Sequence, residues 1–253
     1  MRQLERLSKS APVNMTDYWH DIATLEHFWI RRRFDVLCNL LRRIDGMPRP
    51  LADVGCGRGL LQRQIETHFA FSADGFDLDE HSLSENISQN SRVCLYNIFE
   101  CNADLYQAYG SIFLFDILEH VEDQLSFVKS VLFHLRPGGL VLINLPAFMH
   151  LYSSYDTMAG HIRRYTYDDV VSLGTNCGLD LVSASYWGAP YYLLLLARKL
   201  MLVSSQSEKE IVERGFEVKS KVVNNLLRYF GKMEFLPQRV FGTSVMAVFR
   251  KPA

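Results

Sequence analysis

Three glycines fall within five residues in Gly55-Cys56-Gly57-Arg58-Gly59, directly after the apolar run Leu51-Ala52-Asp53-Val54. Glycine lets the backbone turn sharply and lets a ligand approach closer than a Cβ would permit. A plain tight turn is the alternative. A downstream acid speaks for a ligand: Asp77 lies 20 residues beyond Gly57 and closes Gly75-Phe76-Asp77, where a carboxylate can accept both hydroxyls of a ribose. The dinucleotide fingerprint is G-x-G-x-x-G. Here the spacing is G-x-G-x-G, with Leu60 where the third dinucleotide glycine would fall and Asp53 two residues before the first glycine. That combination disfavours a pyrophosphate and favours a ligand with a positively charged amino-acid portion.

Two further groups could do chemistry. Asp116, Glu119 and His120 follow the apolar run Ile112 to Phe115. Glu119 reads either as a functional acid or as a buried carboxylate capping backbone, and His120 as a general base near neutral pH. Asp156, His161, Arg163, Arg164 and Tyr165 concentrate an acid, an imidazole, two guanidiniums and a phenol within ten residues. Arginine forks grip carboxylate or phosphate at two points. Arg163, Arg164 and Tyr165 are therefore expected to bind an anionic acceptor, with Asp156 and His161 catalytic and His161 the better base. A structural salt-bridge knot is the alternative. No H-x-E or clustered Cys/His pattern suggests a metal, and His150 and His161 are too isolated in sequence to be read as ligands, so no metal site is expected.

These residues need elements to hold them. Leu51 to Val54, Gly75 to Asp77, Val93 to Tyr96, Ile112 to Phe115 and Leu140 to Ile143 read as strands. Between them, Leu61, Ile65 and Phe69 mark one helix face, as do Val128, Val131, Leu132 and Leu135, with Pro137-Gly138-Gly139 as a stop. Thr166 reads as an N-cap with Asp168 and Asp169 in the first turn, and Gly178 as the stop. Leu181 to Tyr186 and Ser244 to Phe249 add two strands. The order predicts an α/β fold: a Rossmann-like, mostly parallel seven-stranded sheet with helices on both faces. It also predicts one domain over 1–253: a helical N-terminal cap (1–47), a cofactor-binding core (48–188), a helical insertion (189–242) and a last strand (243–253).

Two apolar features have alternative readings. Arg31-Arg32-Arg33 follow Trp29. They form either a solvated helix face or part of a helix that covers the ligand site, with Tyr18, Trp19 and Trp29 excluding water. Tyr191 to Leu196 opens the insertion. It forms a buried helix or homodimer face, or a greasy wall for a lipid-like substrate, or a peripheral membrane contact through residues 190–203. The charge-free stretch from Leu181 to Ala197 contains Gly188 and Pro190 and is too short for a span.

Composition bounds the rest. The chain has 253 residues with 48% hydrophobic and 22% charged, ordinary globular values that exclude fibrous and disordered classes. Its formal net charge of −1 supplies no basic field, so no nucleic-acid partner is expected. Five cysteines without a C-x-x-C spacing, and a polar start from Met1 to Asn14, predict a cytoplasmic protein with free thiols.

Taken together, Leu51 to Gly59, Gly75-Phe76-Asp77, Phe115 to Asp123 and Leu135-Arg136-Pro137-Gly138-Gly139 resemble the class I S-adenosylmethionine-dependent methyltransferases, most closely their ubiquinone-biosynthesis-type small-molecule branch. The resemblance covers about His27 to Lys251. The segments Leu151 to Asp156 and Gly160 to Tyr165 resemble a subgroup whose substrates are mostly unassigned. The resemblance implies S-adenosylmethionine as cofactor. Gly55, Cys56 and Gly57 would back its methionine portion, with Asp53 balancing the ammonium, Asp77 on the ribose, Leu78 flanking the adenine and Asp116 nearby. Asn97 stands where the family usually has an acid facing the adenine amino group, and Gly110 where it often has Asp. Asn144-Leu145-Pro146-Ala147 superficially resembles the N/D-P-P-Y/F tetrad of amino-group methyltransferases. It has one proline and follows the fifth strand in place of the fourth, which disfavours base methylation. The implied activity is methyl transfer to an O or C atom of a small, anionic or lipid-like acceptor. The rival readings are a catalytically silent cofactor-binding partner protein and a nucleotide-cofactor oxidoreductase.

Overall fold

The structure, a computed structural model, describes residues 4–11, 23–44, 46–202, 211, 218 and 220–253. Tyr18, Trp19 and Val203 lie outside the described residues.

Strands β2 (Leu51–Val54), β3 (Ala73–Asp77), β4 (Val93–Leu95), β5 (Tyr109–Phe115) and β6 (Leu135–Pro146) are parallel neighbours. Both faces are covered, so their sequences are apolar almost throughout, as buried parallel strands require. The period of two sorts their side chains. Ile112 and Leu114 pack into one layer, Phe113 and Phe115 into the other. On the second layer lie helices α1 (Phe28–Leu41) and α2 (Leu60–Phe69), through Leu37, Leu40, Leu61 and Ile65. After the short α3 (Glu80–Ser84) come α4 (Gln124–His134) and, beyond α5 (Ser154–Met158), α6 (Tyr167–Asn176). Both α4 and α6 cover the first layer through Val128, Val131, Val170 and Leu173. Thr166 caps α6 as the sequence predicts: its hydroxyl accepts from Asp169 N–H while the Asp169 carboxylate reaches back to Thr166 N–H.

β7 (Asp180–Trp187) and β8 (Ser244–Arg250) close the sheet, with β8 antiparallel between β6 and β7. Helices α7 (Tyr192–Leu202) and α8 (Lys221–Gly231) lie in the connection between them.

The sequence reading needs three corrections. Among the described residues the sheet has eight strands, in the order β1-β4-β3-β2-β5-β6-β8-β7. The extra strand β1 is Glu5–Arg6, paired with Cys94 and Leu95. The N-terminal region is therefore not helical throughout. A two-residue edge strand carries no periodicity, and this one is held by the Glu5 carboxylate accepting two 2.6 Å bonds from Arg92. Finally, Leu135 ends α4 in an extended conformation and pairs with Tyr109, so it belongs to β6.

Candidate active site

The glycine turn joins β2 to α2. Gly55 has φ +75°, and a Cβ there would come 2.5 Å from Ile117 Cδ1. Gly59, also at φ +75°, caps α2 without a side chain. A side chain at either position would be strained by the left-handed φ and would have to displace Ile117 or Asn86. Asp77 at the end of β3 locks the turn: its carboxylate accepts from Gly57 N–H (2.8 Å), Leu78 N–H (2.7 Å) and Asp79 N–H (3.0 Å). Burial pushes its pKa up, and those three donors oppose the shift.

Beside this turn opens a cavity of about 370 Å³. From the cofactor-binding expectation it is lined by Asp53, Gly55, Cys56, Gly57 and Asp116; from the catalytic expectation by His120 and His161. The insertion contributes Tyr191, Leu194 and Leu195, so the same space has an apolar wall. Asp77, Leu78 and Asn97 stand at the neighbouring strand ends, outside the cavity lining. Tyr96 N–H donates to Asp77 O at 3.0 Å, which brings Asn97 beside them. The Asn97 side chain accepts from Phe99 N–H at 3.1 Å and caps a short 3-10 turn.

Acids dominate the strand ends. Asp53 is 3% exposed; burial raises its pKa to about 7, with Arg33 pulling it down and Asp77 and Asp116 pushing it up. Asp116 has φ +57°, a left-handed conformation that costs a non-glycine residue about 1–3 kcal/mol where the surroundings enforce it. The enforcing partners are Arg33, which pairs with its carboxylate, and Asn144, whose amide donates to Asp116 Oδ1 at 2.6 Å. Asn144 in turn accepts from Trp187 Nε1–H at 2.8 Å. Both ends of that amide are thus committed to packing, a physical reason for Asn144 to take no part in recognising a base.

The second cluster is more ordered than its sequence spacing implied. Asp156 is fully buried and accepts from His161 Nδ1 (3.0 Å) and Arg164 Nε (2.8 Å). Burial alone would raise its pKa; the His161 bond and the Arg164 charge outweigh burial and hold it at about 2. Asp156 is not in the cavity lining; its carboxylate is directed to His161 and Arg164. His161 Nε2 faces Glu119 Oε1 at 3.8 Å, and the His120 and His161 rings stand 4.9 Å apart edge to face. Burial, then the His161 charge, lowers the His120 pKa to about 4, which makes it a weak base at neutral pH. Glu119 is 1% exposed, and burial followed by the Asp116 charge pushes its pKa well up.

The expected anion grip needs correcting. Arg164 lines the cavity, but its guanidinium is spent on Asp156 and on Ala147 O (3.1 Å). Arg163 donates to Glu122 O at 3.2 Å, and Tyr165 is 3% exposed with its hydroxyl on Gln124; neither lines the cavity. The segment is a buried network because β6 ends at Pro146 and Ala147 bridges back to Tyr165.

Other cavity residues were less legible. Arg33 and Arg32 are 7% and 8% exposed, the latter paired with Glu234 at 3.0 Å, which overturns a solvated face for these two. Phe28, Trp29 and Arg33 of α1 line the cavity, as the covering-helix reading requires. Tyr155 and Arg198 were missed. The Arg198 guanidinium lies 4.4 Å over the Tyr155 ring, and both line the cavity. The only signal in the sequence was a cation ending an apolar run.

With this geometry in place, comparison with known proteins is specific. The sequence family described as a methyltransferase domain matches residues 28–184, and the chain belongs to it. A probable S-adenosylmethionine-dependent methyltransferase of Mycolicibacterium smegmatis is 26% identical over 62% of this chain and 61% of its own length. A ubiquinone biosynthesis O-methyltransferase of Neisseria meningitidis is 24% identical over 56% of this chain and 67% of its own. The chain thus matches about three-fifths of the length of the mycobacterial relative. Phosphoethanolamine N-methyltransferase 2 of Haemonchus contortus, solved with S-adenosylmethionine, shares the fold. It has a TM-score of 0.57 at 14% identity, over 90% of this chain and 56% of that one.

Proposed function

We propose that this chain is an S-adenosylmethionine-dependent methyltransferase that moves the methyl group to an oxygen or carbon of a small-molecule acceptor. The observation that carries this reading is the single cavity lined by the glycine turn, by the His161 pair and by the insertion's apolar wall. Gly55, Cys56 and Gly57 back the methionine portion, Asp53 balances its ammonium, Asp77 takes the ribose, and Leu78 and Asn97 flank the adenine. His161, held by Asp156 through Nδ1, presents Nε2 to the acceptor. Most of the acceleration comes from orientation in a water-poor space. Tyr191, Leu194 and Leu195 suit an apolar portion of the acceptor.

The test is incubation with methyl-labelled cofactor and a metabolite extract. Label in an extractable small molecule is expected. Saturable cofactor binding with no labelled product would favour a silent partner protein, and tighter binding of NAD would favour an oxidoreductase.

Two cofactor predictions follow from the strand-end acids. Asp77→Ala should weaken cofactor binding by about 1.5–3 kcal/mol, the range for hydrogen bonds to charged groups; calorimetry reads it directly. Asp53 titrates at about 7 in the free protein, and an ammonium favours its ionised form. Cofactor affinity should therefore fall as pH drops below about 7, by up to tenfold per pH unit. Asp53→Asn should flatten that profile and lower affinity at pH 8.

No helix among the described residues is long and apolar enough to cross a membrane. Leu193 and Leu200 on α7 are 75% and 76% exposed, and Val222, Leu226 and Tyr229 on α8 are also exposed, with Lys221 and Lys232 beside them. These exposed apolar side chains suit contact with an anionic membrane surface. Leu193→Glu with Leu200→Glu should reduce sedimentation with anionic vesicles at unchanged near-UV dichroism; a dimer-to-monomer shift in its place would assign the face to a homodimer.

A further inference from the structure

Glu119 and His120 sit in the 3-10 turn after β5, and His161 lies beyond α5, 41 residues further along the chain. The fold nevertheless gathers them. Each offers one ligand atom, and the three atoms lie within 4.8 Å of one another. Ile162 N–H donates to Glu119 O at 2.9 Å, which ties the two segments together beside the cavity all three residues line.

The hydrogen bonds decide which ring atoms are offered. His161 Nδ1 stands 3.0 Å from Asp156 Oδ1, and His120 Nδ1 3.1 Å from Gly160 O. A carboxylate and a carbonyl only accept, so both Nδ1 atoms carry the proton and both neutral rings keep their lone pair on Nε2. Imidazoles that ligate metals are held this way, the far nitrogen donating to a carboxylate or backbone carbonyl. Glu119 supplies a further observation. It is 1% exposed, and its Oε2 is buried without a hydrogen-bond partner among the described residues. A buried, unmatched carboxylate oxygen is costly, and it points to something that would satisfy it. The nearby acids Asp116 and Asp156 are already matched by Arg33 and Arg164.

We propose that Glu119, His120 and His161 form a binding site for a divalent transition-metal ion that holds the acceptor oxygen during methyl transfer. Two imidazoles and one carboxylate suit manganese, iron, cobalt or zinc better than magnesium or calcium, and leave coordination positions open. Bond lengths of about 2.0–2.2 Å would draw the ligand atoms to roughly 3–3.5 Å apart, a closure from the 3.8 Å between His161 Nε2 and Glu119 Oε1 and from spacings of up to 4.8 Å over the three atoms. An acceptor hydroxyl takes an open position, where the ion lowers its proton affinity. The O–H bond breaks with its electron pair left on oxygen, and the proton leaves to water in place of His161. That pair forms the O–CH3 bond as the S–CH3 bond breaks, its electrons returning to sulfur to give S-adenosylhomocysteine. The role in transfer rests on the function proposed above; the site itself does not.

The experiment uses the full chain stripped with EDTA and titrated with Mn2+ alone, free ion being read by electron paramagnetic resonance. One saturable equivalent is expected. His120→Gln, His161→Gln and Glu119→Gln should each weaken it at least tenfold, with cofactor affinity within about threefold as the check on folding. EDTA should abolish turnover and Mn2+ restore it. Absence of saturable binding by the folded wild type overturns the site, as does binding that all three substitutions leave unchanged. Loss of turnover in His161→Gln without any metal binding would overturn the site and leave the transfer reading standing. Metal binding with no turnover on any acceptor would do the reverse.

Discussion

Alanine in place of His161 is expected to lower methyl transfer about 10²–10⁴-fold, the span typical of positioned proton transfer, with cofactor affinity within about threefold. The reason lies in how the ring is held. Its Nδ1 is fixed on Asp156, a carboxylate that His161 and Arg164 keep ionised against its burial, so the ring presents Nε2 to the cavity in one tautomer. The loss is the same whether Nε2 takes the proton or holds an ion that assists its departure. Cofactor affinity is spared because the residues assigned to the cofactor belong to the β2, β3, β4 and β5 ends, whereas His161 follows α5. Cofactor titration and turnover on one preparation check this. Full turnover in the variant would take His161 out of the reaction, and equal losses in affinity and turnover would make it a cofactor residue.

Asp156→Ala should destabilise the fold by about 3–5 kcal/mol, the cost of breaking a buried ion pair from one side. The Arg164 side chain is 4% exposed, and without Asp156 its hydrogen-bond partner among the described residues is Ala147 O at 3.1 Å. Asp156 also closes the α5 N-terminus, accepting from Ser153 N–H at 2.9 Å. A urea midpoint measures the loss, and Asp156→Ala with Arg164→Met should recover part of it, since no guanidinium is then stranded. The pH dependence has a definite sign. The carboxyl is held at about 2 against an ordinary 3.8, so its contribution is complete above about pH 4 and disappears as pH falls through 2. Wild type should lose stability over that window and Asp156→Ala should lose less of it. An unchanged midpoint in the variant would leave Asp156 with only the positioning of His161.

Much of the scaffold is written locally. Short apolar runs, glycine at positions needing positive φ, and Thr166 three residues before Asp169 are features that neighbouring residues impose on one another, so the sheet, the glycine turn and the α6 cap can be read from the chain. The cofactor-side residues share that legibility, because Gly55 and Asp53 sit at the end of a strand whose direction fixes where they face. β1 could not be read this way: two residues become a strand only because β4 offers an unpaired edge.

The catalytic side depended on tertiary structure for a physical reason. Charged side chains within ten residues can serve a ligand or one another, and only the three-dimensional arrangement sets which partner is nearer. Arg164 turned inward to a fully buried Asp156, Arg163 and Tyr165 found partners on other segments, and Arg198 reached the cavity from the insertion. The sequence therefore determined the sheet, the glycine turn and the acids at its strand ends, through interactions between near neighbours. Only folding set His161 beside Glu119 and His120, because a contact between residues 41 positions apart is decided by where β5 and α5 end.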